Sequence, residues 1–306
     1  MDPQAVLDEI KADVLQNMHQ FEGSVADYIP ALSEMPADGF AMAVYDVEGN
    51  CFQTGQVDTS FTIQSISKIL TLTMAIQRYG DSLWQRVGKE PSGTAFNSLT
   101  QLEFEKGVPR NPFINAGAIV TCDALFSRLS APTHHVLETL RELSGNKRLC
   151  INTAVSRSEY EHRFRNAAMA NLMKSFSNFD NDVEEVLKVY FSFCAIEMNT
   201  SELAKSFSFL ANRGRDITSG KEVISAKQNS QLNSLLFTSG LYDASGDFAY
   251  RVGMPGKSGV GGAIVAFVPN KYSIAVWSPK LNKFGNSTAG LWALEQFANR
   301  LSLQLF

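Results

Sequence analysis

The strand-forming segments of this 306-residue chain sit at its two ends, and the long middle reads as helical. Residues 263–268 (AIVAFV) and 272–277 (YSIAVW) are apolar, β-branched runs joined by Pro269-Asn270-Lys271, a hairpin signal. Residues 40–47 (FAMAVYDV) and 51–54 flank Glu48-Gly49-Asn50 in the same manner. From about 81 to 205 the periodicity is mostly helical, broken at Pro91-Ser92-Gly93, Gly107-Val108-Pro109 and Ser144-Gly145-Asn146. Strands at both ends with a helical insert predict an α+β domain whose sheet uses both termini, with an all-helical lobe in the middle.

Individual helices are legible from apolar spacing. Leu7, Ile10, Val14 and Met18 share one face of an amphipathic segment over 4–20. A helix is expected from about Ser65 to Tyr79, stopped by Gly80. Residues 183–198 (VEEVLKVYFSFCAIEM) are apolar and long enough for a buried helix, and 200–212 continues from a Thr-Ser-Glu-Leu start. Leu291, Leu294, Phe297 and Leu301 mark a final helix over 287–303.

Composition removes several classes. Hydrophobic residues make up 44% and charged residues 19%, the balance of a globular chain. A net charge of −4 lacks the positive footprint of a nucleic-acid binder. The acidic N-terminus (MDPQAVLDEIKADVLQNMHQ) does not fit a signal peptide, and no apolar run approaches membrane-spanning length. A cytoplasmic protein is expected. Cys51, Cys122, Cys150 and Cys194 form no CxxC pair, and the four histidines form no HExxH, so neither a disulfide framework nor a zinc site is expected.

The chemistry concentrates in Phe61-Thr-Ile-Gln-Ser-Ile-Ser-Lys-Ile-Leu70. Ser65 and Lys68 are three apart, which places them on one helix face, one turn apart. Ser65 would sit at the helix N-terminus, where free N–H groups and the dipole favour an alkoxide or an oxyanion. With histidine scarce, a neutral lysine can serve as base. Bringing a lysine from an ordinary pKa of ~10.4 to neutrality at pH 7 costs about 4.6 kcal/mol, which burial and nearby positive charge can supply. Ser67 competes as nucleophile, but adjacent side chains on a helix do not face each other, which favours Ser65. Ser-x-x-Lys alone is a weak motif.

A second segment strengthens it. Pro255-Gly-Lys257-Ser258-Gly259-Val260-Gly-Gly262 runs into the AIVAFV strand. Lys-Ser/Thr-Gly on a strand accompanies Ser-x-x-Lys in serine β-lactamases and penicillin-binding proteins. A backbone N–H there could complete an oxyanion hole with that of Ser65. The rival reading is a phosphate loop around Gly256-Lys257-Ser258, but GxxxxGK[ST] needs a glycine where Arg251 stands and a helix where a strand follows.

Further blocks complete a pattern: Ala26-Asp-Tyr28-Ile-Pro30, Gln64-Ser-Ile-Ser-Lys68, Asn111-Pro-Phe-Ile-Asn115-Ala-Gly117, Ser158-Glu159 through Arg165-Asn166, Tyr190 with Ile196-Glu197, Tyr242-Asp-x-Ser-Gly246, Lys257-Ser-Gly-Val260, and Trp277-Ser-Pro279 with Gly285-Asn-Ser287. In this order, from Val25 onward, the chain resembles the serine-dependent glutaminases of bacterial type, which share the β-lactamase/DD-peptidase-like fold. That resemblance implies an antiparallel sheet flanked by helices plus an all-helical lobe. The division expected is one catalytic unit over 1–306, with an α/β lobe at about 1–64 and 213–306 and a helical lobe at about 65–212.

The resemblance further implies hydrolysis of L-glutamine to L-glutamate and ammonia, without cofactor or metal. Ser65 would attack the γ-carboxamide, Lys68 would accept its proton, and the N–H groups of Ser65 and Val260 would hold the oxyanion. Tyr242 would shuttle the proton to ammonia and Tyr28 would orient the nucleophile. Glu159 would take the substrate ammonium, with Asn115, Asn166 and Tyr190 making the other polar contacts. A homo-oligomer, dimer or tetramer, is expected, with no nucleic-acid or membrane partner. The lactamase Ser-Asp-Asn element is absent; Ser144-Gly-Asn146 has its spacing without the aspartate, which argues against penicillin recognition, while β-lactam or peptide hydrolysis stands as the second enzyme reading on Ser-x-x-Lys with Lys-Ser-Gly.

Overall fold

The computed structural model describes residues 2–27, 30–33, 35–93 and 98–305. Seven strands are described: β1 (Ala41–Asp46), β2 (Cys51–Gly55), β3 (Phe61–Thr62), β4 (Glu197–Met198), β5 (Gly256–Ser258), β6 (Ala263–Val268) and β7 (Tyr272–Trp277). The helices are α1 (Pro3–Gln16), α2 (Ser67–Tyr79), α3 (Leu99–Phe104), α4 (Asn115–Phe126), α5 (Pro132–Ser144), α6 (Thr153–Glu161), α7 (Phe164–Ser175), α8 (Val183–Cys194), α9 (Thr200–Ser206), α10 (Ala226–Ser239), α11 (Ser245–Arg251) and α12 (Thr288–Leu301).

Five strands form one antiparallel sheet in the order β2-β1-β7-β6-β5, so the N-terminal hairpin docks on the C-terminal one as the end-loaded strand pattern predicts. Alternate side chains then leave opposite faces. Met42, Val44, Ile264, Ala266, Ile274 and Val276 meet α1 and α12 through Leu7, Ile10, Leu294 and Phe297. Ala41, Ala43, Val265, Phe267, Ala275 and Trp277 share a core with the helices of the chain's middle. Both faces are covered, which is why these strands read as continuous apolar runs rather than an alternation.

Local signals settle most element ends. Asp2 caps α1 by accepting from the Gln4 N–H, and Gly145 ends α5 in the left-handed region, which makes Ser144-Gly145-Asn146 a helix terminus. Three expectations change. The apolar stretch 183–198 is not one helix: α8 stops at Cys194, and Glu197-Met198 pair with Phe61-Thr62 while the Ile63 N–H donates to Ile196 O at 2.9 Å. Asn199, not the following threonine, opens the next helix, in a reciprocal capping box with Glu202. Ser65 lies not in the α-helix but in a 3₁₀ turn (Gln64–Ile66) leading into α2.

Trp277 joins the two layers. Its ring lies parallel to Phe61 with centroids 5.6 Å apart, and its Nε1–H donates to Gly261 O at 3.0 Å. Replacing Trp277 by Ala is expected to cost about 3–5 kcal/mol in chemical denaturation. Trp277→Phe, which keeps the ring contact and loses the hydrogen bond, is expected to cost less than half of that. Equal losses would show that packing is not what this residue contributes.

Candidate active site

The turn that carries Ser65 is held from both sides. Gln64 adopts φ +50, a conformation that a non-glycine residue keeps only where its surroundings enforce it. Its side-chain amide donates to Thr62 Oγ1 at 3.1 Å. The β5–β6 connection packs directly onto this backbone: a Cβ on Gly259 would lie 2.7 Å from Ile63 O, and one on Gly261 2.3 Å from Thr62 O. Only glycine permits that approach. Val260 stands between them, half-buried, and its N–H has no acceptor among the described residues.

Lys68, on the first turn of α2, is 1% exposed. Its Nζ donates to Phe113 O at 3.1 Å and to Asn115 Oδ1 at 2.8 Å. The Asn111–Gly117 block builds that pair of acceptors. Asn111 Oδ1 accepts from the N–H groups of Phe113 and Ile114 at 3.0 and 3.1 Å, turning the chain so that the Phe113 carbonyl faces Lys68. A Cβ on Gly117 would meet Asn111 O at 1.9 Å, so the close turn demands glycine. Asn115 opens α4, and its Nδ2 donates to Asn166 Oδ1 on α7 at 3.2 Å. Burial brings the Lys68 pKa down to about 8, against the opposing pull of Cys194 and Glu159.

Glu159 lies on α6 with its Oε1 enclosed and without a hydrogen-bond partner among the described residues. Burial pushes its pKa up to about 7, although the Gln64 amide and the Lys68 charge hold it down. Tyr190 on α8 is buried, and desolvation raises its phenol well above the ordinary range. Tyr242 follows α10 in a turn with φ +55. Its hydroxyl hydrogen-bonds the Ser65 side chain and donates to Ser258 O at 3.5 Å, and burial raises its pKa.

The structure thus brings Ser65, Lys68, Asn115, Glu159, Asn166, Tyr190, Tyr242 and Val260 around one centre. Tyr28 lies outside the described residues. Ser67, the competing nucleophile, is 2% exposed and turned to Cys194, so it is removed from the cleft.

Two neighbours were not singled out from the sequence as site residues. Lys257 is fully buried; its Nζ donates to Ser258 O at 2.6 Å and lies 4.1 Å from the Tyr242 ring centroid. Burial and the Lys68 charge push its pKa far down. The Lys-Ser-Gly motif was its signal. Cys194 hydrogen-bonds Tyr190 and Ser67, and burial raises its thiol pKa. A cysteine in an apolar helix carries no sequence signal for that position.

Comparison with known proteins gives this geometry its context. The family profile named Glutaminase matches residues 23–306. A glutaminase of Pseudoalteromonas translucida (strain TAC 125) is 63% identical over 305 residues, covering 100% of this chain and 99% of that protein. One of Proteus mirabilis (strain HI4320) is 56% identical over 298 residues, covering 96% and 97%. Among solved structures, a probable glutaminase, ybaS, superposes with a TM-score of 0.92 at 34% identity, covering 100% of this chain and 99% of that one. A probable glutaminase from Bacillus subtilis, complexed with 6-diazo-5-oxo-L-norleucine, gives 0.87 at 30% identity, covering 100% and 98%. The profile match from residue 23 to 306 and the likeness along the whole chain to these proteins place the chain in the glutaminase family, whose members are hydrolases of the glutamine amide.

Proposed function

We propose that this glutaminase works through a glutamyl-serine ester on Ser65, with Lys68 as base. The observation that carries the reading is the environment of Lys68: a fully buried Nζ with two fixed acceptors, Phe113 O and Asn115 Oδ1. An amine that donates two N–H bonds to these oxygens keeps its lone pair for a third direction. With a pKa of about 8, roughly a tenth of the molecules carry the neutral amine at pH 7.

In this reading Lys68 takes the Ser65 proton as Oγ attacks the γ-carboxamide carbon. The N–H groups of Ser65 and Val260 hold the oxyanion; the unpaired Val260 N–H beside the Ser65 turn supports that role. Tyr242 is neutral across the physiological range, so it relays a proton rather than acting as a tyrosinate base. The proton passes from Lys68 through Tyr242 to the leaving nitrogen, the C–N bond breaks and ammonia departs. Water then attacks the ester with Lys68 again as base, and its proton returns to Ser65 Oγ. Tyr28 is the proposed orienting residue. Lys257, packed under the Tyr242 ring, is the proposed positioning residue for that tyrosine.

Glu159 is the proposed ammonium partner, supported by an enclosed Oε1 that has no hydrogen-bond partner among the described residues. Asn166, Asn115 and Tyr190 supply the remaining polar contacts. One catalytic unit over 1–306 is part of the same proposal, supported by the core that sheet and helices share. A homo-oligomer, dimer or tetramer, is proposed on the exposed Phe104 and Phe164, 84% and 73% accessible. Four free thiols suit a cytoplasmic setting, and among the described residues no helix is long and apolar enough to cross a membrane.

Ser65→Ala is expected to lower kcat/KM at least about 10³-fold. Wild type quenched during turnover should carry a glutamyl adduct by mass spectrometry, which the variant lacks; an adduct on any other residue would refute the assignment. The pH profile follows from two groups. Protonation of Lys68 below about pH 8 removes the base, and protonation of Glu159 below about pH 7 removes the ammonium partner. Log kcat/KM should therefore rise with pH, with slope near 1 between about 7 and 8 and steeper below, and level off above 8. A flat profile from pH 6 to 8 would contradict both roles. Glu159→Gln should raise KM by about 2–5 kcal/mol equivalent. It should also move the alkaline inflection to lower pH, because the carboxylate that raises the Lys68 pKa is gone.

A further inference from the structure

Ser245, the serine of the Tyr242-Asp-x-Ser-Gly246 block, binds the backbone that carries Tyr242. It is 5% exposed and opens α11. Its hydroxyl donates to Tyr242 O at 2.9 Å and accepts from the Leu241 N–H at 3.0 Å. One side chain thus ties the entry and the exit of the Leu241–Tyr242 dipeptide. A serine that caps a helix start accepts from N–H groups two or three residues ahead of it. Ser245 instead faces backward, to residues three and four behind it, so its hydroxyl serves the turn rather than the helix.

That turn needs support. Tyr242 stands at φ +55, a conformation that a bulky side chain keeps only where its surroundings enforce it. The backbone closes the turn with bonds from the Ala244 N–H to Leu241 O and from the Ser245 N–H to Tyr242 O. The other side-chain contacts are long. Asn286 Nδ2 donates to Leu241 O at 3.4 Å, and the Tyr242 hydroxyl reaches Ser258 O at 3.5 Å, both at the weak end of the hydrogen-bond range. The same phenol hydrogen-bonds the Ser65 side chain. A proton relay depends steeply on such a distance, and a misplacement of about 1 Å can cost about 10²-fold in rate.

We propose that Ser245 is a positioning residue for the hydrolysis: by clamping the positive-φ turn it holds the Tyr242 hydroxyl at Ser65. This role rests on the relay proposed for Tyr242. Ser245→Ala, which deletes both hydroxyl bonds, is compared with wild type, Tyr242→Phe and the double variant, all as the full chain. The readouts are ammonia release from L-glutamine and the inhibition constant of L-glutamate. Ser245→Ala is expected to lower kcat/KM at least about tenfold and to leave the glutamate inhibition constant within about threefold. Tyr242→Phe is expected to lower kcat/KM at least about 100-fold. In the Tyr242→Phe background the serine change is expected to cost less than about threefold more, because the clamp has no hydroxyl left to place. Unchanged kcat/KM in Ser245→Ala would overturn the proposal. So would the same fold-loss in both backgrounds, or loss of glutamate inhibition together with activity, either of which would make Ser245 a support of the fold at large. Unchanged kcat/KM in Tyr242→Phe would instead overturn the relay itself, and the positioning role with it.

Discussion

The burial of Lys68 is the constraint around which the centre is arranged. A lysine ammonium with no solvent carries a desolvation cost that neither Phe113 O nor Asn115 Oδ1, both uncharged, fully offsets. The pKa falls to about 8 for that reason. Keeping two neutral acceptors at hydrogen-bond distance requires the Asn111 turn, the glycine at 117 and the start of α4 to hold one shape. The surrounding buried groups respond to the same dry environment: Glu159, Tyr190, Tyr242 and Cys194 are all pushed toward their neutral forms. A centre whose members prefer neutrality suits proton relay between oxygen and nitrogen.

The second requirement is contact between the Ser65 turn and a segment nearly two hundred residues later in the chain. It is met by a sheet built from both ends and by glycines at 259 and 261 that let two backbones touch. Positive φ at Gln64 and Tyr242 occurs on the two residues that flank this contact. Such backbone is costly and persists where packing over-determines it. Here β3–β4 pairing, the Phe61–Trp277 stack and the Ser258 carbonyl enclose it from three sides.

Several features were legible in the sequence because their cause is local or periodic. The AIVAFV and YSIAVW runs became β6 and β7, and the Glu48-Gly49-Asn50 turn became the β1–β2 hairpin. Leu291, Leu294, Phe297 and Leu301 became α12. The ordered blocks around Ser65, Asn115, Tyr242 and Val260 pointed to the glutaminase family, which the chain's relatives bear out. The apolar stretch at 183–198 misled, because a buried helix and a buried two-residue strand share one composition; only pairing with Phe61-Thr62 separates them. Asn115 showed nothing by itself to mark it as a lysine partner rather than a helix cap.

What the sequence alone determined is the α+β class, the end-loaded sheet and the residue types of the centre, since these follow from periodicity and from motifs a few residues long. What only the tertiary structure decided is the state of those residues. The pKa of Lys68, the orphaned oxygen of Glu159, the exclusion of Ser67 and the placement of Lys257 under the Tyr242 ring all depend on desolvation and on neighbours far apart in the chain. Burial and hydrogen-bond partnership are properties of the packed molecule, and no local spacing encodes them.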